Sequence, residues 1–219
     1  MKIAAFVPIK LNNERAPGKN VKRFDDGTPL LTHFIKTLVQ VPEIDECYVF
    51  CSKEEVKDYL IPGVSFLERP EYLDTKEATP QNIIQSFMSK VDADVYLVCH
   101  CTSPFVKAER ISECICKVCN EGYDSAFTGE RIQRLMWYAG KPMNFDATNI
   151  PRTQDLPVYY NEVSAAYVFK KETFETLKRR IGENPYICEV SGVECVDIDY
   201  PEDFEIANAI YMGILKNGE

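Results

Sequence analysis

Ile3-Ala4-Ala5-Phe6-Val7-Pro8 opens the chain, and Lys10, Asn12, Asn13, Arg15, Pro17, Gly18, Lys19 and Asn20 follow it. A short apolar run that stops at a proline reads as a buried strand. The polar loop behind it carries the cations Lys10, Arg15 and Lys19 and a Pro-Gly turn. In a three-layer α/β protein such a loop lies at the carboxyl edge of the sheet, where ligands bind. Cations and free backbone N–H groups there suit a polyphosphate. A basic surface loop accounts for the same residues, and the spacing matches neither of the usual phosphate-loop fingerprints. The loop alone leaves both readings open.

Strands and helices alternate beyond it. The spacing predicts an amphipathic helix over 30–39, a buried strand over 46–51, a short helix over 53–60 and a strand over 64–67, then a loop at Arg69-Pro70. A helix over 78–91 has Thr79 as cap and Pro80 at its first position. Residues 94–99 form the most apolar strand and run into His100-Cys101-Thr102-Ser103-Pro104; a helix over 107–120 and a strand over 124–128 follow. The regularity breaks over 131–160, which holds Trp137 with several Tyr and Pro residues; it reads as a β-arm leaving the sheet, the alternative being a disordered linker, which the aromatic content disfavours. It resumes with a strand over 165–169, a helix over 172–181, a strand ending in Cys195-Val196-Asp197-Ile198-Asp199, and a closing helix after Tyr200. Such alternation implies one α/β domain over 1–219, with a mostly parallel sheet covered on both faces.

A chain of 219 residues can bury a substantial core. Its formal net charge of −9 argues against a general nucleic-acid binder, which carries a basic face. An anionic ligand must therefore be held by a local cluster of cations. No apolar run approaches the roughly 20 residues that span a bilayer, and no secretory-signal pattern opens the chain, so no membrane contact and a soluble, cytoplasmic protein are expected. Of the nine cysteines, Cys99, Cys101, Cys114, Cys116, Cys119 and Cys195 fall in apolar runs and read as core thiols in a reducing compartment. Cys116-Lys117-Val118-Cys119 lacks the second pair that a zinc site requires.

Asp197-Ile198-Asp199 is the second charged feature. Alternate residues of a strand share a face, so both carboxylates point the same way. Their repulsion calls for a cation, and hard carboxylate oxygens favour Mg2+; a solvated acidic strand end accounts for the motif taken alone. Beside a cationic loop on the same sheet edge the metal reading prevails. Cations that hold phosphates and acids that hold Mg2+ are what nucleotidyl transfer requires. Arg152-Thr153-Gln154-Asp155-Leu156-Pro157, with Tyr159, Tyr160 and Tyr167 after it, offers an arginine shaped to grip a carboxylate, although a surface turn explains it by itself. His100 stands at the mouth of a central strand, either as a ligand contact or as a satisfied structural histidine.

In this order the pieces resemble the cytidylyltransferase family that activates 2-keto-3-deoxy sugar acids, the acylneuraminate cytidylyltransferases above all. The resemblance rests on Val7-Pro8 through Pro17-Gly18-Lys19-Asn20, on Arg69-Pro70 with Leu73, Ala78 and Thr79, and on Thr102-Ser103-Pro104. It continues through Asp124-Ser125, 152–157, Ala165-Ala166-Tyr167 and 196–204. It implies a Rossmann-like three-layer nucleotidyltransferase that joins CTP to the anomeric hydroxyl of an acidic sugar, releases pyrophosphate and uses Mg2+. It further implies a homodimer built through a β-rich insert at 131–160. Carried onto this chain, the resemblance implies CTP contacts from Lys10, Asn12, Arg15, Lys19, Asn20, Arg69 and Thr79. Lys19 would stabilise charge on the α-phosphate, and Asp197 and Asp199 match the Mg2+ ligands, the three together forming the catalytic set. His100, Arg152, Gln154 and Tyr167 match the sugar pocket.

The chain also departs from the family. Leu11-Asn12-Asn13-Glu14 stands where a Gly-Ser-rich loop is usual, with Arg15 placed as in enzymes that activate 3-deoxy-manno-octulosonate. Thr153 replaces a common Arg, Val163-Ser164 an Asn-Gly, and His100 a Gln. Most of these lie near the acceptor, so N-acetylneuraminate, legionaminate or pseudaminate relatives, an octulosonate and other acidic acceptors stay open. Two alternatives stand beside this reading: a same-fold nucleotidyltransferase with a non-sugar acceptor such as a phosphonate, and a catalytically silent nucleotide-binding relative. A nicotinamide enzyme would need the G-x-G-x-x-G turn that this loop lacks.

Overall fold

The first strand, β1 (Ile3–Ile9), is buried along its length because successive side chains enter opposite faces of one sheet. Ile3, Ala5, Val7 and Ile9 join the larger core on one face, and Ala4 and Phe6 join a second core on the other. A strand covered on both sides shows a continuous apolar run in place of alternation. A computed structural model describes residues 1–13 and 16–215 of the chain. The further strands are β2 (Glu46–Cys51), β3 (Ser65–Glu68), β4 (Val95–Cys99), β5 (Ser125–Ile132), β6 (Trp137–Tyr138), β7 (Lys141–Pro142), β8 (Tyr159–Lys170) and β9 (Pro185–Val190). The helices are α1 (Leu30–Leu38), α2 (Pro80–Met88), α3 (Ala108–Asn120), α4 (Lys171–Leu177) and α5 (Pro201–Ile210).

Seven strands form one sheet in the order β3-β2-β1-β4-β8-β5-β9. All pairs are parallel except those of β8, which runs antiparallel to β4 and β5. α1 and α3 cover one face through Phe34, Ile35, Ile111 and Ile115. α2 and α4 cover the other through Ile84, Phe87 and Phe174, where Phe6 and Phe87 stack with centroids 3.9 Å apart. From β1 the chain proceeds outward to β2 and β3, and β4 then returns to its other side. The crevice beyond the carboxyl ends of β1 and β4 is thus the point where strand order reverses, the usual ligand site of an open α/β sheet. Lys10 and His100 are the residues that leave those two strands.

Most elements lie where the spacing places them. The stretch 53–60 contains a 3-10 segment, Glu54–Tyr59. The helix after β8 ends at Leu177 because Lys178 adopts a left-handed φ of 55°. The strand expected over 165–169 begins at Tyr159, inside the stretch read as irregular, and only 133–158 leave the main sheet, carrying the β6–β7 hairpin. All nine cysteines are free thiols. Among the described residues no helix is long and apolar enough to cross a membrane.

One expectation is corrected: Asp197 and Asp199 do not lie on a strand. β9 ends at Val190, a 3-10 turn (Gly192–Cys195) follows, and 196–199 join no sheet. A single backbone bond, from Ile198 N–H to the Thr102 carbonyl at 2.8 Å, lays this segment against the loop that leaves β4. Ile198 is fully buried in a third core with Phe24, Leu30, Phe105 and Phe204. With that side chain turned inward, its neighbours Asp197 and Asp199 both face the crevice. The shared face survives, but a local hydrophobic anchor produces it. Replacing Ile198 with Ala should destabilise the protein by about 2–4 kcal/mol, the range for emptying a packed aliphatic site; chemical denaturation of the two proteins measures it, and a cost below about 1 kcal/mol would show that the anchor is dispensable.

Candidate active site

The loop after β1 turns at Gly18, whose φ of 70° is open to glycine, and enters a 3-10 turn, Lys19–Val21. This buries Lys19 to 9% exposure. Its ammonium donates to the Ile198 carbonyl at 2.5 Å and to Asp199 Oδ1 at 3.1 Å. Asn20 braces the loop: its amide donates to the Lys10 carbonyl at 2.9 Å and to Asn13 Oδ1 at 3.4 Å, and its oxygen faces Cys101 Sγ at 3.5 Å. The cationic turn and the paired aspartates therefore meet across one cleft of about 420 Å3.

A second cationic group approaches from the edge of β3. Arg69, 2% exposed, is ion-paired with Asp74. Ser52 donates to the same carboxylate at 2.5 Å, and Lys10 Nζ donates to the Asp74 carbonyl at 2.9 Å. Arg69 Nε is buried and has no partner among the described residues. A buried donor left unpaired is costly unless a ligand meets it. Arg69, Lys10 and Lys19 all line the cleft.

Burial raises the pKa of Asp197, and the charge of Asp199 adds to it, while hydrogen bonds from Thr102 and Ser103 and the charge of Lys19 oppose the shift. Ser103 Oγ lies 3.4 Å from Asp197 Oδ1. Among the described residues no group of three or more His, Cys, Asp and Glu side chains is arranged around a common metal position. Asp197 and Asp199 nevertheless offer hard oxygens on one wall, the donor chemistry that Mg2+ takes when phosphate oxygens and water complete its shell.

His100 also lines the cleft, its ring edge-on to Tyr167 with centroids 6.3 Å apart. Burial, reinforced by the charges of Arg180 and Lys19, holds its pKa down to about 4. Tyr167 donates its hydroxyl to Glu162 Oε2 at 3.0 Å.

Of the residues singled out from the sequence, Lys10, Lys19, Asn20, Arg69, His100, Asp197 and Asp199 converge on the cleft, and Tyr167 packs beside His100. Arg15 lies outside the described residues. Asn12 is exposed and does not line the cleft; Asn13 does. Thr79 caps α2, accepting from Asn82 N–H at 3.3 Å, and stands outside the lining, whereas its neighbour Ala78 is part of it. Arg152 is 73% exposed and bound to Asp155 at 2.8 Å, and the Gln154 carbonyl accepts from Gln133 Nε2 at 3.0 Å; neither reaches this chain's cleft. Sequence reasoning missed Asp74 and Arg180. The signal for Asp74 was its place five residues after Arg69 in one loop; no local pattern marks Arg180.

A family model described as Cytidylyltransferase matches residues 4–212. N-acylneuraminate cytidylyltransferase A of Danio rerio is 26% identical over 216 residues, a match covering 94% of this chain and 50% of that protein. The chain thus spans about half the length of that relative. CMP-N,N'-diacetyllegionaminic acid synthase of Legionella pneumophila is 23% identical over 226 residues, covering 96% of each chain. Among solved structures, CMP:2-keto-3-deoxy-manno-octonic acid synthetase complexed with CTP shares the fold with a TM-score of 0.72 at 16% identity, over 97% of this chain and 99% of that one. 4-Diphosphocytidyl-2C-methyl-D-erythritol synthase from Anaerococcus prevotii gives 0.67 at 15% identity over 96% of each. The Rossmann-like architecture is common to all three, and with the family model spanning 4–212 this chain belongs to the cytidylyltransferase family.

Proposed function

We propose that this chain transfers the cytidylyl group of CTP to the anomeric hydroxyl of an acidic 2-keto-3-deoxy sugar and releases pyrophosphate. The observation that carries the reading is the ammonium of Lys19 held at 3.1 Å from Asp199, which unites the phosphate-binding loop with the paired acids. The two relatives named for acylneuraminate and diacetyllegionaminic acid support an acidic acceptor. In the reaction the sugar oxygen attacks the α-phosphorus, the bond from that phosphorus to the bridging oxygen breaks, that oxygen leaves on pyrophosphate, and the hydroxyl proton passes to water. The nucleophile and the triphosphate are both anionic, so preorganised positive charge is the main requirement. Lys10 and Arg69 offset charge along the nucleotide, and Lys19 neutralises charge that grows on the α-phosphate. Asp197 and Asp199 would hold Mg2+, which supplies charge neutralisation at phosphate oxygens. His100 stays neutral at the acceptor end and serves as a hydrogen-bonding group.

The same reading makes the protein a cytoplasmic homodimer. The insert over 133–158 exposes Trp137 at 61% and Tyr138 at 76%, apolar surface of the kind that a second copy covers. Arg152, turned away from its own cleft, is then available to the partner's. Nine free thiols support a reducing compartment.

Pyrophosphate release measured with each of the four nucleoside triphosphates and a panel of acidic sugars tests the proposal; turnover with CTP and one such acid supports it, and a CTP-binding protein inert towards all of them refutes it. Lys19→Met, which keeps the stem but removes the charge, should lower kcat by on the order of 100-fold, and a loss under about tenfold would remove Lys19 from the transition state. Asp197→Asn and Asp199→Asn should each raise the Mg2+ concentration that gives half-maximal turnover. Stability should also fall with pH in a window set by His100. An unfolded histidine protonates near 6.5, whereas in the fold it stays neutral to about 4, so the unfolded state alone gains a proton between these values and folding weakens as pH drops. Urea titrations across that window should show His100→Gln losing less stability than the parent, by on the order of 1–3 kcal/mol; parallel losses would place the titration elsewhere.

A further inference from the structure

Arg180 sits on a turn that the fold holds tightly although no local motif announces it. After α4 ends, the turn is clasped by Asp124 and Ser125 at the start of β5. Asp124 Oδ2 accepts the N–H groups of Glu183 at 2.7 Å and Asn184 at 2.9 Å, and Ser125 Oγ accepts that of Gly182 at 2.8 Å. A Cβ at Gly182 would meet the Asp124 carboxylate at 2.3 Å, so this approach requires glycine. The clasp sets Arg180 over the Tyr167 ring, with Cζ 3.4 Å from the centroid.

So fixed, the guanidinium lacks a partner suited to it. Its side chain is 23% exposed, and Glu162 Oε2 stands 3.8 Å away while already accepting the Tyr167 hydroxyl at 3.0 Å. Among the described residues Arg180 donates no hydrogen bond. It also walls a small apolar hollow of about 60 Å3 with Ile84 and Val98, and Pro8, Ile83 and His100 line both this hollow and the main cleft. His100 is neutral there, and Lys19 is committed to Ile198 and Asp199. Among the described residues of this chain, Arg180 is therefore the cation that walls this hollow beside His100 and Tyr167. An anion entering an apolar hollow needs a paired charge, and the planar fork of arginine fits both oxygens of a carboxylate.

We propose that Arg180 grips the carboxylate of the acidic acceptor and so fixes it beside His100 and Tyr167. This rests on the reading of the chain as a transferase to acidic sugars. Arg180 selects a charged acceptor over a neutral one, and Tyr167 with the Asp124–Ser125 clasp keeps the guanidinium in place.

The test is calorimetric titration of the full chain, saturated with CTP, with N-acetylneuraminate and with 3-deoxy-manno-octulosonate, each as free acid and as methyl ester. At least one acid should bind about tenfold or more tightly than its ester, as expected for a charged hydrogen-bonded pair. Arg180→Met should weaken the acid by about tenfold or more while changing the ester little, and Arg180→Lys should recover part of the loss. CTP affinity should remain within about twofold, which separates this role from general collapse of the site. Equal acid binding by parent and Arg180→Met, equal binding of acid and ester by the parent, or no binding of either acid overturns the proposal. Should Arg180→Met fail to fold, Arg180→Lys decides alone: a loss confined to the acid supports the grip, and no such loss refutes it. Acid binding without pyrophosphate release would refute the transfer reaction and leave the grip standing, whereas turnover with acceptor KM unchanged in Arg180→Met would do the reverse.

Discussion

The ammonium of Lys19, donating to the Ile198 carbonyl and to Asp199 across sequence separations of 179 and 180 residues, is the contact on which the cleft depends. A lysine buried to this degree is tolerated only with partners that replace water. It finds one neutral and one charged oxygen on a segment that belongs to no sheet. The contact thus draws the loop after β1 and the residues before α5 to the same crevice. It also relieves the repulsion between Asp197 and Asp199, which adds to burial in raising the pKa of Asp197.

Each side of that contact is braced by less conspicuous groups. On the loop side Gly18 supplies the left-handed turn, and Asn20 ties the loop to the Lys10 carbonyl. On the acid side Ile198 is clamped in its own apolar core, and Asp203 accepts the N–H groups of Asp199 at 2.9 Å and Tyr200 at 2.8 Å. Those bonds complete the start of α5 and hold Asp199 at its mouth. Preorganisation in this cleft is therefore built from backbone contacts as much as from charges.

In a protein of net charge −9, Lys10, Lys19 and Arg69 line one cleft. Lys10 and Arg69 gather around Asp74, Lys19 meets Asp199, and Arg180 lies over Tyr167. His100 is kept neutral by burial and by the charges of Arg180 and Lys19. The positions where this chain departs from the resemblance, the loop at 11–14, Thr153, Val163-Ser164 and His100, are spread over separate segments of the sequence.

The layered fold was legible because it rests on local periodicity. The apolar runs of β1 and β4, the Thr79–Pro80 start of α2 and the Pro201 start of α5 each carry their signal within a few residues. The paired aspartates were legible as facing one way, although for a different reason, since burial of Ile198 replaces the pleat of a strand. Sequence by itself determined the α/β class and the two charged ends of the cleft, because burial pattern and capping are short-range properties of the chain. Tertiary structure alone decided that Lys19 meets Asp199 and that the Asp124 clasp sets Arg180 over Tyr167. Those pairings join residues far apart in sequence, and their geometry is fixed only when whole layers pack against one another.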